Sequence, residues 1–161
     1  MFASEGIAVP MIEIARRANV GIGTVYRHFP TKEALFAAIV SDRLTQLTGH
    51  ARALTRDASP GDAFFALLDR MVADGRSKKG LVDVLTAAGV DVRALAATPA
   101  AALRRALATL VRRAQAAGAL RAGVTAEDVI ALVSATLAAA GRPGTSVERL
   151  MAIVRDGLRA R

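Results

Sequence analysis

The chain has 161 residues, a formal charge of +8, 53% apolar and only 4% aromatic residues, and no cysteine. The apolar content provides one substantial core and excludes a disordered chain. The absence of cysteine excludes disulfides, thiolate catalysis and Cys-ligated metals, which fits a reducing cytoplasm.

Of the 22 basic residues only Lys32, Lys78 and Lys79 are lysines. An Arg-rich, Ala-rich chain of this kind suggests a GC-rich bacterial genome, and its positive balance suits a polyanionic partner. The start, MFASEG, carries no basic n-region, so no signal peptide is expected. The most apolar stretch, VIALVSATLAAA (129–140), is 12 residues long. That is short of the roughly 18–20 needed to cross a bilayer, so it reads as a buried helix.

No segment alternates with period two, and an all-α fold is expected. Met11, Ile14, Ala15 and Ala18 share one helical face, with Pro10 at a first-turn position. Ile22, Val25 and Phe29 mark a second, shorter helix that Pro30 ends. Thr31 caps a third with Glu33 in its first turn, and its apolar positions from Leu35 to Leu54 predict about 23 residues. RDASPGD (56–62) reads as a loop. Phe64, Leu68, Met71 and Val72 predict a helix ending near the Gly75–Lys79 cluster, with a separate short helix over 80–88. Residues 91–99 are poorly patterned. Leu103, Leu107, Leu110, Ala114 and Ala117 form a helix that Gly118 stops. Thr125 caps a helix over 126–140 that Gly141 ends. TSVE (145–148) reads as a capping box, Thr145 with Glu148, opening a last helix with Leu150, Ile153, Val154 and Leu158.

Residues 10–29 thus read as helix, turn, helix, with a valine in ANVGIG to plug the junction. In that arrangement the second helix lies in the major groove of DNA. On a wheel of 22–29, Ile22, Val25 and Phe29 point inward. Thr24 and Arg27 point nearly opposite, Tyr26 and His28 lie on the flanks, and Gly23 is outward. A hydroxyl, a guanidinium, a phenol and an imidazole are groups that bond phosphates or base edges. Lys32 opposes the dipole of its own helix, a placement that makes sense with an anion in front of it. Taken alone, Tyr-Arg-His-Phe is an ordinary helix surface with one core residue, and Gly21-x-Gly23 is a weak nucleotide loop because no strand precedes it. The conjunction of turn, wheel and following lysine carries the reading.

MIEIARRANVGIGTVYRHFPTKEALFAAIV (11–40) closely resembles the DNA-binding signature of TetR-family transcriptional regulators. RRAQAAGALRAGVTAEDVIAL (112–132) looks like the region before the last two helices of the SbtR-like C-terminal group. The resemblance implies a helix-turn-helix DNA-binding domain over 1–41 and a helical regulatory and dimerisation domain over 42–161. It implies that Thr24, Tyr26, His28 and Lys32 contact operator DNA, with Lys32 on a phosphate, and that Gly23 and Arg27 hold positions that vary between members. It also implies a homodimer joined by the last two helices, and a repressor released from a palindromic operator when a small molecule enters the C-terminal core. In that dimer Leu132, Ala135, Thr136, Ala139, Leu150, Ile153, Val154 and Gly157 are the expected interface positions. Phe64, Phe65, Leu68, Met71, Leu85, Leu107 and Leu110 are plausible pocket positions for an apolar or amphipathic effector, each of which also reads as ordinary core. No cofactor and no metal are expected.

One departure concerns the start. Family members have a full first helix before the motif, whereas 1–5 supplies only its last turn, leaving Phe2 and Ile7 to cover Ile14, Val25 and Phe29. Residues 1–32 are therefore expected to be more mobile than 100–160, and DNA binding to be weak. Met1 then reads as a misassigned start or an artificial boundary, and an upstream amphipathic extension is expected to restore both properties. A dimeric ligand-binding protein without effective DNA binding is the alternative. An enzyme is not expected: His28 and His50 are the only histidines, and no carboxylates cluster at acid–base or ligand spacing. His50, near Gln46, reads as a ligand contact or a partly exposed surface residue. The pairs Arg104–Arg105 and Arg112–Arg113 read as a solvated surface.

Overall fold

In the computed structural model, residues 9–56, 59–87, 91, 94, 96–140 and 142–160 are described, with backbone alone for 77–87. Among them the chain is all-helical. In order, the helices are α1 (Met11–Arg17), α2 (Ile22–His28), α3 (Lys32–Leu54), α4 (Pro60–Ala87), α5 (Ala97–Ala116), α6 (Ala126–Ala139) and α7 (Val147–Leu158). No described helix is long and apolar enough to cross a membrane. The expectations for Phe2, Ile7, the opening turn and Gly141 lie outside the described residues, as does that for the Leu85 side chain.

Among the described residues two apolar clusters organise the fold. The smaller joins Val9, Met11 and Ile14 to Ile22, Val25, Phe29 and Leu35, and closes the helix-turn-helix onto the start of α3. The larger gathers α3 to α7 around side chains with no exposed surface, among them Phe64, Leu67, Leu68, Leu107, Leu110 and Val129. The helix α3 runs through both regions, so residue 41, the expected domain boundary, falls inside one unbroken helix. Thr31 accepts a hydrogen bond from the Ala34 N–H at its start, relieving one of the orphan donors of a helix N-terminus.

The turn between α1 and α2 is built differently from the expectation. Asn19 holds the left-handed backbone (φ 54°), a conformation that asparagine tolerates better than most residues. The Val20 N–H then reaches back to the Ala15 carbonyl at 3.0 Å. This places Val20 outside, 41% exposed, and the cluster around Ile14 and Val25 plugs the junction instead.

Residues 60–87 form one helix rather than the two expected, and Gly75 lies inside it. A glycine within a helix costs about 1 kcal/mol relative to alanine, which makes it look like a stop. Here it answers to packing, because a Cβ at Gly75 would overlap the Leu137 side chain of α6. Two ion pairs, Arg76–Glu148 at 2.6 Å and Asp69–Arg155, bridge α4 to α7.

Caps set the other boundaries. Gly118 takes a positive φ of 66° after α5, as a C-terminal glycine should. Thr125 and Asp128 form a reciprocal capping box at α6. The last box is displaced by one residue: Ser146, not Thr145, accepts from the Arg149 N–H. Gly144 turns with φ 75° and the Thr145 N–H is bonded to the Arg142 carbonyl, so the chain enters the helix a residue later. Glu148 is thereby left to pair with Arg76.

Candidate nucleic-acid interface and adjoining cavity

The α2 helix presents two faces. Ile22, Val25 and Phe29 are half-buried against α1 and α3, whereas Gly23, Thr24, Tyr26, Arg27 and His28 are exposed. The period of 3.6 residues makes this division, since positions three and four apart share a face. A Cβ built at Gly23 would meet no atom of the chain within 4 Å. Packing within the protomer therefore gives no reason for glycine there. Lys32 opens α3 beside this face, half-buried, with its ammonium 6.0 Å from the centre of the Phe36 ring. The aromatic face attracts the cation electrostatically and holds it close to the helix end.

On α1, Glu13 accepts hydrogen bonds from Arg16 (2.7 Å) and Arg17 (2.6 Å). The Arg16 bonds, then that from Arg17, hold the Glu13 carboxyl down at about 2, from an ordinary 4.5. A depressed folded-state pKa contributes stability that is complete above about pH 4.5 and is lost as pH falls toward 2. Acid titration followed by NMR should therefore show the α1 amides shifting around pH 2, not around the ordinary 4.5. Glu13→Gln should flatten that profile, and a parent profile already flat would show that the clamp contributes nothing.

A cavity of about 490 Å³ lies between α3, α4, α5 and α6. Val40 and Leu47 of α3, Met71 of α4, Leu103 of α5 and Val133 of α6 are its most buried walls. Its rim carries Asp74, Arg104, Ser134 and Ala138. Leu44, Gly75, Ala100, Ile130 and Leu137 complete it. Of the expected pocket residues, Met71 is the one among the described side chains that lines this space. Phe64, Leu68, Leu107 and Leu110 sit in the packed core with no exposed surface. Phe65 stacks edge-on against Phe64 at 5.1 Å and faces Arg159 at 5.0 Å, beside a different groove. Spacing along one helix reports that a residue is buried, but not whether it meets side chains or space across the gap. The walls contributed by α3 and α6 carried no separate signal for that reason.

The expected interface residues occupy α6 and α7. Ile153 is 63% exposed, Ala135 and Gly157 are also exposed, and Leu132, Ala139, Leu150 and Val154 are half-buried. Thr136 points into its own protomer, 4% exposed. A groove of about 520 Å³ between the two helices is lined by Leu132, Ile153, Val154 and Gly157 among others. His50 lies exposed on α3, where Gln46 donates to Asp42 at 2.8 Å. Among the described residues, no three His, Asp or Glu groups are placed to hold a metal ion.

An exposed recognition helix after a tight turn, followed by a long helix walling a cavity, defines a helix-turn-helix regulator with a helical ligand-binding domain. The family model for bacterial regulatory proteins of the tetR family matches residues 1–39, and that for the C-terminal domain of SbtR-like transcriptional regulators matches 59–160. The chain belongs to the TetR family of transcriptional regulators. It is similar to a TetR transcription regulatory protein from Mycobacterium vanbaalenii, with 42% identity, TM-score 0.79, and 99% of this chain aligned over 88% of that one. A TetR transcriptional regulator from Streptomyces coelicolor is 32% identical at TM-score 0.79, with 99% and 92% of the two chains covered. The Thermus thermophilus repressor FadR, in complex with lauroyl-CoA, shares the fold at 22% identity and TM-score 0.56, with 99% and 90% covered. No curated protein matches the chain.

Proposed function

We propose that the protein is a homodimeric repressor, acting in the cytoplasm, that holds a near-palindromic operator and releases it when an apolar or amphipathic effector enters the α3–α6 cavity. The observation that carries this is the continuity of α3. It begins at Lys32 beside the recognition helix and contributes Val40, Leu44 and Leu47 to the cavity. A rigid helix shared by two sites gives an occupant of one a means to move the other. Gly23, with open space where a side chain would stand, supports close approach of α2 to the duplex.

The test is operator binding with DNA from upstream of the gene, across a salt series. Affinity should fall steeply with salt as counterions are released. Lys32→Ala should weaken binding to all sequences alike and reduce the salt slope by roughly one unit. Arg27→Ala should change which base is preferred, by about 1–3 kcal/mol if the guanidinium is bidentate to guanine. Unchanged affinity and preference in both variants would remove α2 from the groove.

A further inference from the structure

We infer that the effector is a neutral amphiphile: a hydrocarbon body with one uncharged head that both donates and accepts hydrogen bonds, such as a hydroxyl or a primary amide. This rests on the reading of the α3–α6 cavity as the effector site and names the chemistry that the site selects.

The floor is hydrocarbon, formed by Val40, Leu47, Met71, Leu103 and Val133. It offers a charged group nothing in place of its water shell. Among the described lining residues the polar groups are confined to the rim, where one acid, one base and one hydroxyl face the same space: Asp74, Arg104 and Ser134. Both charges are compensated from outside the cavity. Arg70 lies 3.3 Å from the Asp74 carboxylate, and Glu127 lies 3.5 Å from the Arg104 guanidinium. Neither Arg70 nor Glu127 lines the cavity.

Among the described residues the rim therefore has no net charge to offer. A carboxylate or phosphate head would gain from Arg104 only in competition with Glu127, and would share the rim with the Asp74 carboxylate, the more enclosed of the two charged groups, its side chain 17% exposed against 54% for Arg104. An ammonium head would lie beside Arg104 and gain from Asp74 only in competition with Arg70. Like charges in a partly desolvated site repel strongly. A hydroxyl or amide avoids both conflicts, because it donates to the carboxylate and accepts from the guanidinium or the Ser134 hydroxyl. The volume sets an upper size. At about 30 Å³ for a water-sized group, 490 Å³ holds at most about 16 non-hydrogen atoms, so an eight-carbon chain with its head fits with room to spare.

Four probes of one chain length separate the possibilities: octan-1-ol, octanamide, octanoate and octylammonium, each titrated calorimetrically at pH 7 below micellar concentrations. The two neutral probes should bind at least tenfold more tightly than either ion. Asp74→Asn should tighten octanoate at least fivefold relative to octan-1-ol, and Arg104→Gln should do the same for octylammonium. Either ion binding the parent as tightly as octan-1-ol, or none of the four binding, overturns the inference and leaves the effector-site reading standing. Two further variants test that reading: Val133→Phe, which fills the floor, and Ala138→Trp, which obstructs the rim at an exposed position. Octan-1-ol binding unaltered in both, with helicity equal to the parent's, would place its site elsewhere, and both readings would fall together.

Discussion

Phe64→Ala should lower stability by about 3–5 kcal/mol, the cost of an aromatic truncation in a core that cannot collapse around it. For a domain of this size that is a fall of roughly 6–20 °C in melting temperature. Phe64 has no exposed surface, packs edge-on to Phe65 and belongs to the cluster that joins α3 to α7. It does not border the cavity, so affinity for a cavity ligand should change little at temperatures where the variant remains folded. Met71→Ala should do the reverse in emphasis, enlarging the cavity and altering ligand affinity with a smaller loss of stability. Calorimetric melting and ligand titration on both variants decide the matter. If Phe64→Ala changes ligand affinity more than Met71→Ala does, the ligand sits in the core, where the spacing of Phe64 and Leu68 first suggested it.

Ile153→Asp should weaken self-association of the proposed dimer by roughly a hundredfold to a few thousandfold. That corresponds to about 3–5 kcal/mol for an uncompensated charge in an apolar interface. A two-fold axis introduces the charge twice. Ile153 is the large apolar side chain of α7 that its own protomer leaves most exposed. Gly157, one turn on, has open space where a Cβ would stand, so the packing of the protomer itself does not require glycine there. Ala135→Arg on α6 should act in the same direction, since Ala135 is also exposed. Thr136→Ala, whose side chain faces inward, should leave the association state alone. Sedimentation velocity across a concentration series reads all three. Variants at 153 and 135 that sediment as the parent does would move the interface off these helices. Operator affinity should fall with the dimer, because each monomer then holds one half-site alone.

Local chemistry carried the helix content, the helix-turn-helix and most of the element ends. Thr31, Gly118, Thr125 and the 22–29 wheel each act through partners within four residues, so their effects are written in the sequence itself. The exposed set of α2 follows from the 3.6-residue period once Ile22, Val25 and Phe29 are taken as buried. What the chain order could not specify was what stands across a gap. Gly75 resembles a helix stop until Leu137, 62 positions later, occupies the space a methyl would need. Val20 resembles a plug until Asn19 adopts its left-handed turn and carries it outward. Phe64 and Met71 share a helix, and both are buried, yet one meets packed side chains and the other meets a cavity. That difference depends on where α3, α5 and α6 come to rest. Helix packing is a sum of many weak contacts between residues far apart in the chain, and no single stretch of sequence contains both partners. The sequence determined which surfaces each helix would bury; only the tertiary structure decided which of those surfaces close on each other and which enclose a space.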